Sequence, residues 1–499
     1  MDIRIKKKNE VWFHVYADQD IRYELMEHFQ FDVPNAKFSP KYKMGFWDGK
    51  IKLFNPMKSL LHIGLLSDLK AFCADRNYSL AYERSDDFGD VEGQCDMSYE
   101  DVQQYVNSLD IHSGGKSITP HDYQYEAVYQ AIKFNRRTFI SATSSGKSLM
   151  IYAMCRYYIS QNKKCLLICP TVQLVSQMYA DFNDYSSNNG WDSEKNIHKI
   201  YAGQDKTSDM IMTIATWQSL AGMTSQLLCQ YEVVIVDETH TAAAKCLADI
   251  LENCTHAKVK IGLTGSLTKS KTNSMVIKGL LGDIVKISSA KDLIERGLLS
   301  EIKISAIMLN YSKDTKKSLK KADYKTEIDF LTSHEKRNKF IRNLALSLKG
   351  NTLILFNFVE GHGELLKELF YQKTGDKLIR FIHGDIDVDF REDTRKELEE
   401  NENIVILASF GTTKQGVNFK NLKNIIFAHP TKSIVTVLQS IGRGLRKVSG
   451  KTHVHLYDIG DKLADTKKKN HTYDHFAERL SIYAEQEFEY KLIEMDLEK

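Results

Sequence analysis

The sequence has 499 residues, 42% hydrophobic and 10% aromatic, which supports a substantial core and excludes a chain disordered throughout. Lys and Arg number 68 against 65 Asp and Glu, a formal charge of +3, so any nucleic-acid face must come from local clustering. No apolar run approaches the roughly 18 residues of a membrane span, and the basic start MDIRIKKKNE leads into no apolar signal region. A soluble, cytoplasmic protein of about three domains is expected.

Residues 1–112 mix short alternating stretches with polar segments and read as a small N-terminal α+β domain. Within it, FSPKYKMGFWDGKIKLFN interleaves Lys37, Lys41, Lys43, Lys50 and Lys52 with Phe38, Tyr42, Phe46, Trp47 and Phe54. Trp47-Asp48-Gly49 reads as a tight turn between two alternating strands. Basic and aromatic residues mixed in this way suit phosphate contacts with packing on sugar or base. The plainer alternative is a hairpin with its aromatics in the core and its lysines in water. The Gly/Ser-rich Ser113–Ser117 marks the end of this domain.

Beyond it, short apolar runs alternate with helical stretches such as SLMIYAMCRYYISQ and TVQLVSQMYADF. The runs are RRTFISA, KKCLLICP, EVVIVDE, AKVKIGLTG, NTLILFNF, KLIRFIHG, ENIVILASF and NIIFAHP. This pattern predicts two parallel α/β domains in tandem, residues 113–300 and 301–460. A charged, helical extension, 461–499, ends the chain. Cys165 and Cys169 share one face of KKCLLICP and are expected in the core. A zinc pair is the alternative, but none of the eight cysteines forms a CxxC pair.

Two segments carry chemistry. In ISATSSGKSLM an apolar strand runs into Thr143-Ser144-Ser145-Gly146-Lys147-Ser148 and then into a helix. Small residues there let backbone N–H groups close around phosphates at a helix N-terminus, with Lys147 reaching the β- and γ-phosphates and Ser148 holding Mg²⁺. Ser141 stands where that motif has glycine, and an ordinary Ser-rich turn is the alternative. In EVVIVDETH a buried strand delivers Asp237, suited to Mg²⁺, and Glu238, suited to activating a water. Together the two segments define a nucleoside triphosphatase. In QSIGRGLRK, Arg443 and Arg446 fall one helical turn apart on a single face, fit for a γ-phosphate or for solvent.

TSSGKS followed by DETH resembles the DExH group of superfamily-two helicases, and further matches occur in order over residues 118–460. The resemblance implies two RecA-like domains that use ATP and Mg²⁺. It makes Gln124 in TPHDYQYEAV the reader of the adenine edge and His240 the link between hydrolysis and the second domain. Pro170, Thr171 and Gln173 in PTVQLVSQM, with Thr216, Trp217 and Gln218 in TIATWQSL, become nucleic-acid backbone contacts. TGSL (Thr264–Leu267) becomes the segment that couples hydrolysis to strand movement. In the second domain, Gly384 and Arg391 are implied for nucleic acid, Gly416 and Asn418 for nucleotide, and Gln439, Arg443 and Arg446 for catalysis, with Arg446 as arginine finger. His383 and His429 are left as structural.

The N-terminal segment, with Lys41, Lys43, Trp47 and Lys50, closely resembles that of the T-even-type phage recombination helicases. That likeness implies an ATP-dependent helicase acting on branched DNA, single-stranded DNA and RNA–DNA hybrids in the infected host. It would be a monomer working beside other phage recombination proteins. A duplex-DNA translocase of the restriction type, or a binding protein with a decayed ATP site, are the rival readings.

Overall fold

Runs such as KKCLLICP have no polar face to offer water, so they must be covered on both sides, as a parallel sheet between helices is. The computed structural model describes residues 2–498 except 34–35, 94, 202–204, 242–244, 266–270, 374, 385–393, 395–396, 399, 412–420, 432, 434–436, 438–440, 443–444, 446–452 and 465–469. The chain divides into two units, Met1–Ser141 with Gly146–Ser288, and Ser289–Lys499, to which Ala142–Ser145 are assigned.

The first unit begins with β1 (Ile3–Lys7) and β2 (Trp12–Ala17), followed by the pair β3 (Gln30–Asp32) and β4 (Lys50–Lys52), then β5 (Leu60–His62) and β6 (Leu80–Tyr82). A four-stranded sheet of order β5-β2-β1-β6 packs on a core that includes Phe13, Phe29, Phe54 and Phe88. The strands β3 and β4 pair antiparallel, but Trp47-Asp48-Gly49 is not the turn between them. Ser39 and Pro40 start a short helix, Pro40–Lys43, as a Ser-Pro pair favours. Gly45, at φ +73°, follows its end. Trp47 then leads into β4, its indole N–H donating to the Lys50 carbonyl at 2.8 Å.

After the small ribbon β7 (His112–Ser113) and β8 (Lys116–Ser117) come β9 (Arg136–Ser141), β10 (Cys165–Cys169), β11 (Ile197–Ile200), β12 (Met212–Thr216), β13 (Val233–Asp237), β14 (Val259–Thr264) and β15 (Asp283–Ser288). These last seven form one all-parallel sheet in the order β11-β12-β10-β13-β14-β9-β15. Along β10, Cys165, Leu167 and Cys169 join the core on one face, and Leu166 and Ile168 join that on the other. Both thiols are therefore core atoms, and burial pushes the Cys169 thiol up.

The N-terminal sheet docks on this α/β layer through groups that leave no slack. Gly64 approaches so closely that a Cβ there would stand 2.0 Å from the Lys278 carbonyl oxygen. His62 stacks on Trp12 at 3.7 Å and meets the Glu252 carboxylate at 3.1 Å. The helix Tyr99–Ser108, started by a Ser98–Asp101 capping box, places Val102 and Val106 in the core of the parallel sheet.

The second unit holds β16 (Glu301–Asn310), β17 (Thr352–Phe356), β18 (Leu378–Ile382), β19 (Ile404–Ser409), β20 (Asn424–Phe427), β21 (His453–Lys462) and β22 (Tyr490–Asp496). They form a second all-parallel sheet, β18-β19-β17-β20-β21-β16-β22. All eight apolar runs of the sequence are strands of these two sheets, which are the tandem RecA-like layers. The C-terminal extension is the expected helix, His471–Glu485, followed by a strand that its charged sequence conceals. Among the described residues, no helix is long and apolar enough to cross a membrane.

Two fully buried ion pairs fix this unit. Arg337 grips Asp461 with Nε and Nη2 at 2.8 and 2.9 Å, and Tyr311 donates to the same carboxylate at 2.8 Å. From the C-terminal helix, Arg479 and Tyr483 bind Asp458 at 2.9 and 2.8 Å. Arg337→Met leaves Asp461 buried without its counter-ion and is expected to lower stability by about 3–5 kcal/mol. The double variant Arg337→Met/Asp461→Leu should recover most of that loss. Urea unfolding followed by circular dichroism checks both, and equal loss in the two variants would contradict the pairing argument.

Candidate nucleotide site and nucleic-acid surface

Parallel pairing sets the C-terminal ends of β9, β10, β12, β13 and β14 along one edge, where α/β sheets carry their sites. The TSSGKS segment, the candidate phosphate loop, leaves β9 there. Its backbone turns through left-handed values at Ser144 (φ +69°) and Gly146 (φ +79°) before the helix Lys147–Ser160 begins. Ser141, in place of the motif's glycine, is the last residue of β9. It is buried, bonded through its hydroxyl to Ser288 at 2.9 Å, and outside the positive-φ set, so glycine's freedom is not needed there. The Lys147 ammonium lies 3.4 Å from the Ser141 carbonyl, and Ser148 is hydrogen-bonded to the Tyr185 hydroxyl at 2.8 Å.

Gln124 caps its own helix, its side-chain oxygen accepting from the His121 N–H at 2.8 Å. Its amide nitrogen stands 2.4 Å from where a Cβ on Gly146 would be, so Gly146 must lack one for the two segments to meet. The proposed base reader and the phosphate loop are thus adjacent.

Asp237, 5% exposed, ends β13, and Glu238 follows at φ +54°, a left-handed conformation costing about 1–2 kcal/mol for a non-glycine residue. Thr239 stabilises the bend by donating to the Leu263 carbonyl at 2.7 Å. Gly262 permits it, since a Cβ there would lie 2.8 Å from the Thr239 side chain. His240 Nδ1 reaches Glu238 at 3.2 Å and the Thr264 hydroxyl at 3.2 Å.

The two carboxyls have opposite tendencies. Burial, then the neighbouring Glu238 charge, pushes Asp237 up to about 7. Burial also works against Glu238, but the His240 hydrogen bond, the Lys147 charge and the Gly265 N–H outweigh it and hold Glu238 ionised. A buried acid raised in this way is a site that gains from a cation, so the residues present fit a divalent metal at Asp237.

Along the same edge, Thr171 caps the helix Val172–Tyr185 and Thr216 caps Trp217–Leu220. Gln218 bridges the two segments by donating to the Pro170 carbonyl at 3.3 Å. Gln173 and Gln218 are exposed, and Trp217 is half-buried. In the N-terminal domain, Lys41 and Lys43 are exposed, with Phe38 at 64% and Phe46 at 80% exposure. The aromatics there are not core residues, except Phe54, which is buried. Trp47 and Lys50 are half-buried.

In the second unit, Gly384 is exposed just after β18. Arg391, Gly416, Asn418, Gln439, Arg443 and Arg446 lie outside the described residues, as do Ser266 and Leu267 of TGSL. His429 is buried, and burial followed by the charges of Arg337 and Arg479 lowers it to about 3, which suits a neutral structural residue. Sequence reasoning missed Tyr185 and Gly262. No local signal marks Tyr185, while a glycine within the apolar run AKVKIGLTG hints at close backbone approach.

Three family models match the chain. They are "DNA helicase UvsW, N-terminal" over residues 2–83, "Type III restriction enzyme, res subunit" over 117–269, and "Helicase conserved C-terminal domain" over 335–448. The ATP-dependent DNA helicase uvsW of Enterobacteria phage T4 is 32% identical over 515 aligned residues, covering all of both chains. The crystal structure of T4 UvsW matches with TM-score 0.53 at 32% identity, again over all of both chains. A fragment of an HsdR subunit of a type I restriction enzyme from Vibrio vulnificus YJ016 shares the fold. Its TM-score is 0.52 at 15% identity, over 90% of this chain and 76% of that one. With a phosphate loop and an acidic pair on one sheet edge, and with full-length similarity at this level, the chain belongs to the UvsW family of superfamily-two ATP-dependent DNA helicases.

Proposed function

We propose that this helicase remodels branched DNA and RNA–DNA hybrids, by branch migration, fork regression and R-loop unwinding, in phage recombination and repair in the infected host. The similarity to T4 uvsW across both whole chains carries this reading. In it, residues 1–112 engage the branched substrate, 113–300 and 301–460 form the motor, and 461–499 are an extension.

Within the motor, Lys147 and the loop N–H groups hold the ATP phosphates, and Gln124 reads the adenine. Ser148 and Asp237 hold Mg²⁺, which requires Ser148 to exchange its bond to Tyr185. Mg²⁺ when bound supplies charge neutralisation of the phosphates. Glu238, ionised and held by His240, accepts the proton of the attacking water. Gln439, Arg443 and Arg446 complete the site from the second domain, with Arg446 as the finger. This assignment rests on the QSIGRGLRK motif alone.

The match of residues 117–269 to a restriction-enzyme motor subunit favours, as a second reading, a generic duplex-DNA translocase. Strand-displacement assays on a fork, a four-way junction, an R-loop and a plain tailed duplex separate the two. Faster turnover on the first three is expected, and equal rates on all four would support the generic motor.

Because Asp237 titrates near 7, binding Mg²⁺ below that pH must displace a proton. Its apparent affinity for the nucleotide-bound enzyme should therefore fall by up to about tenfold per pH unit below 7. The fall should exceed that of Mg²⁺ for free ATP. Calorimetric Mg²⁺ titrations between pH 6 and 8 check this, and a slope matching free ATP would remove Asp237 from the metal site.

If Lys41, Lys43 and Lys50 contact duplex phosphates, neutralising all three should weaken junction binding. The slope of log K against log salt should flatten by about 0.9 per lost contact. Single-strand-stimulated ATP hydrolysis should change much less. A triple variant with unaltered melting temperature, junction affinity and salt slope would end the assignment of this segment to DNA.

A further inference from the structure

The two residues proposed to hold Mg²⁺ are not joined to each other. Among the described residues, the Ser148 hydroxyl is bonded to the Tyr185 hydroxyl at 2.8 Å. The Asp237 carboxylate accepts the Glu238 N–H at 3.0 Å instead. Ser148 is the second residue of the helix Lys147–Ser160, and Tyr185 is the last of Val172–Tyr185. The bond therefore ties the start of one helix to the end of another and turns the serine hydroxyl into the seam between them.

That seam is built to keep Tyr185 in place. Tyr152 lies four residues on from Ser148, on the same helix face, and its ring meets that of Tyr185 edge-on at 5.4 Å between centres. The Tyr152 hydroxyl accepts from Arg156 at 2.5 Å and from Asn189 at 3.1 Å, which fixes the ring. On the other side, Asp184 accepts the Ser113 hydroxyl at 2.8 Å and the Gly114 N–H at 3.0 Å, anchoring the end of the helix that carries Tyr185. The phenol thus meets Ser148 as a positioned partner, not as a loose surface side chain.

On the reading of Ser148 as a Mg²⁺ ligand, we propose that Tyr185 is a positioning residue that holds the serine back from the metal. A ligating hydroxyl must present its oxygen lone pair to the cation. The Ser148 hydroxyl lies in the seam, so its side chain has to rotate into another staggered well first. The ligating rotamer is then a minor state, and the apparent Mg²⁺ affinity falls by the fraction of protein that adopts it. Removing the phenol oxygen should tighten Mg²⁺ binding, the opposite of what damage to the site would do. One net hydrogen bond between neutral groups corresponds to about fivefold.

Calorimetric titration of Mg²⁺ into the full chain with a non-hydrolysable ATP analogue tests this. Tyr185→Phe keeps the ring against Tyr152 and is expected to bind Mg²⁺ about fivefold more tightly, with a thermal midpoint near that of wild type. Ser148→Ala should bind Mg²⁺ more weakly. Adding Tyr185→Phe to Ser148→Ala should then change nothing, because the withheld ligand is gone.

Unchanged or weaker Mg²⁺ binding by Tyr185→Phe would make the phenol a support for the serine and overturn the proposal. So would an undiminished gain in the Ser148→Ala background, which would place the effect of Tyr185 elsewhere. An unchanged Mg²⁺ affinity in Ser148→Ala itself would remove the serine from the metal site, and the role of Tyr185 with it.

Discussion

A strand buried on both faces can carry charge only at its end. β13 sits between β10 and β14 with all five of its residues buried, so Asp237 can be acidic only because it is the last of them. The residues proposed to be catalytic are arranged around that limit. The chain must turn at once to bring Glu238 beside Asp237, and it does so through a left-handed residue. The strain is tolerated because Thr239 is anchored to β14 and because Gly262 leaves room for it. Four consecutive positions thus depend on a glycine one strand away.

The same limit explains the electrostatics. Two carboxyls side by side in a dry site cannot both ionise unaided. Here His240 and Lys147 bias the negative charge toward Glu238 and leave Asp237 to be relieved by a cation. In the proposed mechanism, the division of labour between metal ligand and base follows which carboxyl the histidine touches. His240 in turn is held by Thr264 at the end of β14, the first residue of the segment that the resemblance ties to strand movement.

How much of this was legible in the sequence varied with the physics. The eight buried strands were readable because burial on both faces demands unbroken apolar runs. The phosphate loop and the acidic pair were readable because each follows such a run. The N-terminal hairpin misled, because alternation around Trp47-Asp48-Gly49 suggested a tight turn while Ser39-Pro40 carried the stronger signal of a helix start. β22 was hidden because this edge strand is exposed on both faces except at Ile493, so nothing in its position requires an apolar run. The burial of Arg136 and Arg137 could not be foreseen either. Two arginines opening a strand look solvated until the N-terminal domain is known to cover them.

The strand order of the second sheet also bears on how the protein is made. β16 pairs on one side with β21, Glu301 opposite His453, and on the other with β22, Ile304 opposite Tyr490. The first sheet, by contrast, draws all its strands from residues 136–288. At about 5–20 residues per second of synthesis, β16 leaves the ribosome roughly 8–30 s before either neighbour exists. Through that interval an apolar strand has two open edges. Nascent-chain chaperones are therefore needed most by the second half of the molecule, and a ribosome stalled before residue 453 would release a chain with a finished first sheet and an adhesive tail.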